Sequence, residues 1–191
     1  MSDLTPEKLN EFCTYATLDE IQFMREEMPK LLSTKARIVM IGAGPGVLVF
    51  PLLEHKKANQ WNITIIDRDS VHYARQHYLS GSNWVAARSQ FIEWIEGEDS
   101  FEVGKDWSGV VDLLIVDGDH SDSGVRRDME AWLPHMAKAG YVFFHDYEYT
   151  GTQWDGQGLP CVKPAVDEVM RTGWKQVCRV GCSALYRKVK T

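Results

Sequence analysis

The sequence predicts an α/β fold, a doubly wound and mostly parallel sheet of seven strands with a C-terminal antiparallel hairpin strand. Three observations carry that reading. From Ala36 onward, short apolar runs alternate with stretches of helical spacing, the pattern of strands sandwiched between two helical layers. Several of these runs stop at glycine or acid, at Gly42, Asp67, Asp117 and Asp146, and ligands of such sheets bind beyond the carboxyl ends of the strands. The chain finishes in two strand-like runs, Trp174–Val180 and Ser183–Val189, separated by Gly181-Cys182, as a hairpin requires.

The elements follow in order. Thr5-Pro6 and the box Thr17-x-x-Glu20 are helix N-cap signals, so residues 1–35 are expected to form an N-terminal helical segment of two helices ahead of the main domain, 36–191. Ala36–Ile41 is the first strand and Val47–His55 a helix. Asn62–Ile66 is the second strand, ending in Asp67, and Val71–Leu79 a helix. Trp84–Arg88 is the candidate third strand, with a helix at Phe91–Ile95. Val110–Val116 is the clearest buried strand. The next helix carries Val125, Met129, Trp132, Leu133 and Met136 on one face, and Pro134 should kink it or end it early. Tyr141–Phe144 is a strand, Glu148–Pro160 a polar, glycine-rich loop, and Val162–Arg171 the last helix.

Composition narrows the function. With 44% hydrophobic and 25% charged residues over 191 positions, the chain reads as a soluble globular protein with one core. A net charge of -6 without basic clusters argues against a nucleic-acid partner, whose phosphates demand clustered Lys and Arg. No apolar run is long enough to cross a bilayer, and MSDLTPEKLN lacks the basic and apolar regions of a signal peptide. Cys13, Cys161, Cys178 and Cys182 show no CxxC pairing, so a structural zinc is not expected and reduced thiols in a cytoplasmic protein are. The N-terminal helices can cover an active site or a partner copy, which leaves a homo-oligomer open.

Gly42-Ala43-Gly44-Pro45-Gly46 lies between a strand and a helix. Glycine permits the sharp turn and lets a ligand approach the backbone, and the helix start offers unpaired N–H groups. Asp67, ending the next strand, can accept hydrogen bonds from both hydroxyls of a ribose. A dinucleotide fingerprint wants glycine or alanine where this chain has Val47, and no Walker lysine follows, so NAD, FAD and nucleoside triphosphates are disfavoured.

These residues resemble the class I S-adenosylmethionine-dependent methyltransferases, over nearly the whole chain from about Ala36. The resemblance implies a Rossmann-like fold and a cofactor held by Gly42, Ala43, Gly44, Gly46, Asp67, Arg68, Gln90 and Asp117. Ser89-Gln90, after the candidate third strand, occupies the region that contacts adenine in similar proteins. Many relatives carry an acid two positions before the first glycine, near the cofactor's amino-acid end; this chain has Met40.

The string IVDGDHSDSGVRRDMEAWLPHMAKAGYVFFHDY looks like the macrocin-type O-methyltransferases of sugars and antibiotics, many of which need magnesium, and is similar to cephalosporin-hydroxylase-like proteins. That resemblance implies Asp117 and Asp146 as metal ligands, with His145 standing where many relatives place an acid. Carboxylates gathered at one sheet edge repel unless a cation or proton intervenes. Oxygen ligands suit Mg²⁺ or Mn²⁺, and an imidazole tilts the choice toward Mn²⁺ or Fe²⁺. In metal-free relatives such residues bind substrate or cap the following helix instead. Asp119 and His120 are the candidate bases, since an acceptor hydroxyl must lose its proton near transfer, and an imidazole titrates nearer neutrality. Asp122 and Asp128 are expected to be solvated, at the helix start and paired with nearby arginines. His55, His72, His77 and His135 are expected to be surface or packing residues, and Tyr147, Tyr149 and Trp154 either line a pocket or pack a lid.

The resulting expectation is metal-assisted methylation of a small-molecule hydroxyl. Two alternatives stay open: a metal-independent methyltransferase with another acceptor, and a cofactor-binding protein without transfer activity.

Overall fold

The computed structural model of the chain describes residues 16–43, 48–55, 58–68, 92–148 and 162–189. Seven strands form one sheet: β1 Arg37–Ile41, β2 Asn62–Asp67, β3 Ile92–Glu96, β4 Val111–Val116, β5 Met136–Phe144, β6 Trp174–Val180 and β7 Ser183–Lys188. Their order across the sheet is β3-β2-β1-β4-β5-β7-β6. Strands β1 to β5 pair in parallel, and β7 lies antiparallel to both β5 and β6. The chain order reverses between β1 and β4, the place where a doubly wound sheet opens a crevice at its carboxyl edge.

Alternation along each strand builds two cores. Ile38, Met40, Leu113, Ile115 and Phe143 face one side, with Ile21, Met24, Met28 and Phe50. Val39, Ile41, Leu114, Val116 and Phe144 face the other, with Val125, Met129, Trp132 and Val166. The helices contributing these residues are α1 Leu18–Gln22, α2 Met28–Leu31, α3 Phe50–Leu53, α4 Ser100–Lys105, α5 Asp122–Trp132 and α6 Val162–Val169. A π turn, Phe23–Glu27, joins α1 to α2, just before Pro29, which has no N–H to continue the regular ladder. The expected capping box is present, with Thr17 and Glu20 bonding each other's backbone N–H groups.

Two expectations need correction. Phe91–Ile95 is not a helix: Ile92–Glu96 is β3, paired with β2 along its length. Its buried and exposed positions alternate poorly, because it is an edge strand held by its ladder rather than by two apolar faces. The α5 pattern also stops short of Met136. The helix ends at Trp132, Pro134 sits in a 3₁₀ turn, Leu133–His135, and Met136 opens β5. Strand β5 therefore begins well before the expected Tyr141. The segments Trp84–Arg88 and Val71–Leu79, and nearly all of Glu148–Pro160, lie outside the described residues.

Candidate functional site

Backbone bonds draw the strand ends together. Gly42 N–H donates to Ile66 O (2.8 Å), Asp117 N–H to Ile41 O (2.9 Å) and His145 N–H to Val116 O (3.0 Å). The residues following β1, β4 and β5 are thereby held side by side. Gly42 has φ +81°, and a Cβ there would stand 2.0 Å from the Asp117 carbonyl oxygen. Glycine is required by conformation and by space. Asp67 accepts the Ala43 N–H at Oδ2 (2.6 Å), which pins the turn after β1 against the end of β2.

A cleft of about 440 Å³ opens there, lined among others by Gly42, Asp67, Arg68, Asp117, Gly118 and His120. It also includes Asp99, Ser100 and Phe101, which follow the true third strand and which the sequence reading missed. The signal that could have found them is Gly97, the turn residue that follows β3. Gly44, Gly46 and Gln90 lie outside the described residues. Met40 is fully buried in the core, which is why it carries no acid toward the cleft. Arg68 lies 3.4 Å from Asp99 across the cleft mouth, its side chain largely exposed.

Beyond Asp117 the site becomes a cluster. Asp117, His120, His145 and Asp146 each offer a ligand atom, all within 4.8 Å of one another. His145 Nδ1 is 2.9 Å from Asp117 Oδ1 and 3.2 Å from Asp146 Oδ2. His120 Nε2 is 3.3 Å from Asp146 Oδ2 and 3.6 Å from Asp117 Oδ1. Asp146 has φ +50°, a left-handed conformation uncommon outside glycine, of the kind that accumulates at functional sites.

Electrostatics in the cluster is coupled. Burial opposes charge on His120, but bonds and charges from Asp117 and Asp146 outweigh it and push its pKa up to about 9. Burial likewise opposes charge on His145, and Asp117, Asp146 and Glu20 overcome it, holding the imidazole well above its ordinary range. The two histidines in turn overcome burial at Asp146 and hold its carboxyl well below the usual range. Among the described residues, His120 Nε2 and His145 Nε2 are buried with no partner in good hydrogen-bond geometry. Two carboxylates and two imidazoles gathered this closely make a donor set that fits a divalent cation of mixed oxygen and nitrogen preference.

Other expected residues separate from this cluster. Asp119 lines the cleft but stands outside the cluster, accepting the Ser121 N–H (2.9 Å) at the start of α5 and lying 3.7 Å from Arg127. Asp122 pairs with Arg126 at 2.9 Å on the helix surface. Asp128 is not solvated: it is 2% exposed, accepts the Ser100 hydroxyl, and is pushed up to about 6 by burial, against the Ser100 bond. Its place on the inner face of α5, between α4 and the cleft, overrides the expected pairing with the arginines. His135 bonds Gly104 O (2.9 Å) and His55 stacks on Trp61, both packing roles. Tyr147 is buried, its hydroxyl on Asp167, while Tyr149, Trp154, His72 and His77 lie outside the described residues. A second group missed in the sequence, Glu20 with Cys182, meets His145 from behind.

The profile of the family described as a methyltransferase domain matches residues 39–147, which span β1 to the end of the cluster. An uncharacterized protein of Acanthamoeba polyphaga mimivirus is 32% identical over 59 residues, 31% of this chain and 26% of that one. The matched stretch thus spans about a quarter of that curated relative. A structure from Staphylococcus aureus described as a caffeoyl-CoA O-methyltransferase superposes with a TM-score of 0.73 at 17% identity, over 97% of this chain and 93% of the other. The TDP-rhamnose 3'-O-methyltransferase of calicheamicin biosynthesis gives 0.64 at 16% identity, over 97% and 88%. At these identities the likeness to solved structures is one of fold. No helix among the described residues is long and apolar enough to cross a membrane.

Proposed function

The chain belongs to the methyltransferase-domain family, whose enzymes use S-adenosylmethionine, and on that premise we propose that it methylates a hydroxyl of a small molecule with the help of a divalent cation. One observation carries the reading. The acid–imidazole cluster of Asp117, His120, His145 and Asp146 adjoins the glycine-walled cleft, with Asp117 and His120 shared between them.

Within the cleft, the Gly42-Ala43 turn admits a ligand to the backbone, and Asp67 is placed to accept ribose hydroxyls. Asp99 and Ser100 follow β3 and line the same cleft, in the region that meets adenine in similar proteins. The cofactor supplies the methyl group. Asp117, Asp146 and His145 Nδ1 would hold Mg²⁺ or Mn²⁺, and such an ion lowers the pKa of an alcohol and orients it.

His120 Nε2 is the group that takes the acceptor's proton. It belongs to the cluster and lines the cleft, whereas Asp119, which also lines the cleft, lies outside the cluster and is engaged by Ser121. Asp117 and Asp146 hold the proton on His120 while they carry full charge, so neutralising them readies the imidazole as a base.

The test is formation of S-adenosylhomocysteine from S-adenosylmethionine with a panel of sugar and phenolic acceptors, with and without EDTA. Turnover abolished by EDTA and restored by Mg²⁺ or Mn²⁺ supports the proposal. Full turnover in excess EDTA sinks the cation, and transfer only to nitrogen acceptors sinks the hydroxyl.

A further inference from the structure

We propose that Glu20, from the N-terminal helix, is a positioning residue of the cation centre, orienting His145 through Nε2 so that Nδ1 faces Asp117 and Asp146. This rests on the cation reading above.

Glu20 is the third residue of a capping box, a position that ordinarily lies at the surface of a helix. Here it is fully buried. Its Oε2 accepts the Thr17 N–H (2.7 Å) and the Thr17 hydroxyl (2.9 Å). Its Oε1 accepts the Ser183 hydroxyl, with the Cys182 thiol at 3.3 Å. The carboxylate is therefore pinned from the helix side and from the β6–β7 turn at once. A cap needs only the Thr17 contacts, so the rest of this enclosure calls for another reason.

That reason lies on the open side of the carboxylate. His145 Nε2 stands 3.7 Å from Glu20 Oε2, in an imidazole 3% exposed, and has no hydrogen-bond partner among the described residues. The other ring nitrogen, Nδ1, sits among Asp117 and Asp146. An imidazole that ligates a cation through one nitrogen needs the proton kept on the other, and a carboxylate behind it is the common means of doing so. Glu20 can supply that by closing about 0.7 Å, to the usual N–H···O distance of about 3.0 Å.

The hairpin turn enforces the arrangement. Gly181 has φ +56°, and a Cβ there would meet Thr17 Oγ1 at 2.4 Å and Glu20 Cδ at 3.0 Å. The turn is pressed onto the cap, which leaves the Glu20 side chain little room on that side. The N-terminal helix is thus joined to the cluster through one residue, and cation binding should reciprocally steady that helix.

The experiment measures Mn²⁺ affinity, by the loss of the free-ion signal in electron paramagnetic resonance, for the wild type, Glu20→Ala, Glu20→Gln and Thr17→Ala. Hydrogen exchange of residues 18–31 and S-adenosylhomocysteine affinity are read on the same samples. Glu20→Ala should weaken Mn²⁺ by about 10–100-fold, the usual effect of losing such a partner. Glu20→Gln, which keeps the capping box, should fall between it and the wild type, and S-adenosylhomocysteine should bind all four alike. Thr17→Ala should loosen the helix in exchange yet bind Mn²⁺ close to the wild type. The proposal is overturned if both Glu20 variants bind Mn²⁺ as the wild type does, or if Thr17→Ala loses as much as Glu20→Ala, which would assign the effect to helix docking. A wild type that binds no Mn²⁺ removes the cation reading itself, a failure distinct from either.

Discussion

Gly42→Ala probes the junction on which the whole site depends. The glycine follows β1 with φ +81°, and an added Cβ would stand 2.0 Å from Asp117 O, 2.6 Å from Asp117 C and 3.0 Å from Gly118 N. All three are backbone atoms of the next strand's end, so no side chain can rotate to relieve the clash. Holding alanine in a left-handed conformation costs roughly 1–2 kcal/mol, and forcing an extra carbon into packed structure about 1–3 kcal/mol. The sum is about 2–5 kcal/mol. With a urea slope of about 2 kcal/mol/M, the unfolding midpoint should fall by roughly 1 M or more. Gly97→Ala is the control, because Gly97 has φ +78° with nothing within 4 Å of its added Cβ and should show the conformational part alone. Calorimetry should also find S-adenosylhomocysteine binding lost in Gly42→Ala. The reasoning is refuted if Gly42→Ala and Gly97→Ala lose equal stability, since the close approach of β1 and β4 would then carry no energy.

Three further outcomes follow from the site. Asp128 has a folded-state pKa of about 6, above its ordinary 3.8, so its stabilising contribution is present below about pH 4 and is lost as pH rises through 6. Asp128→Asn should therefore gain relative to the wild type between pH 4 and 7, by at most about 3 kcal/mol, in urea midpoints; a pH-independent difference would contradict the burial argument. Asp146→Gly keeps the left-handed backbone and removes the carboxylate, so it should lose Mn²⁺ in calorimetry while retaining S-adenosylhomocysteine; retained Mn²⁺ would remove Asp146 from the ligand set. His120→Ala should lower kcat by about 10²–10⁴-fold, the worth of a general base, against a known acceptor, whereas unchanged turnover alongside an inactive Asp119→Ala would move the base to the carboxylate.

The parts legible in the sequence were those buried on both faces. Strands β1, β2 and β4 are continuous apolar runs because helices cover them above and below, and their stops at Gly42, Asp67 and Asp117 mark the crevice directly. Strand β3 escaped because an edge strand with Glu93 and Glu96 draws its stability from pairing with β2, which leaves no apolar periodicity to read. Asp99 and Ser100 were lost with it. Met136 fits the α5 face by spacing, yet Pro134 ends the helix first and the residue is buried from the strand instead. Capping chemistry at Thr17 and Glu20 was readable, being local. The burial of Glu20 was not, since it arises from the Gly181 turn more than a hundred residues away. Asp128 looked solvated beside two arginines, and only the packing of α4 against α5 brings Ser100 to it. The cluster's acids were visible as strand ends, but the pairing of His145 with Asp117 depends on the register of β5 against β4.

The central claim is that one cleft holds both an S-adenosyl cofactor and a divalent cation. It is tested most directly by a crystal structure of the protein grown with S-adenosylhomocysteine and Mn²⁺, with anomalous differences measured to locate the ion. The expected map shows the nucleoside against Gly42 and Asp67, with an anomalous peak in bonding contact with Asp117, His145 Nδ1 and Asp146. Cofactor density in that place without a peak at the cluster would contradict the cation, and an empty cleft would contradict the account of the site as a whole.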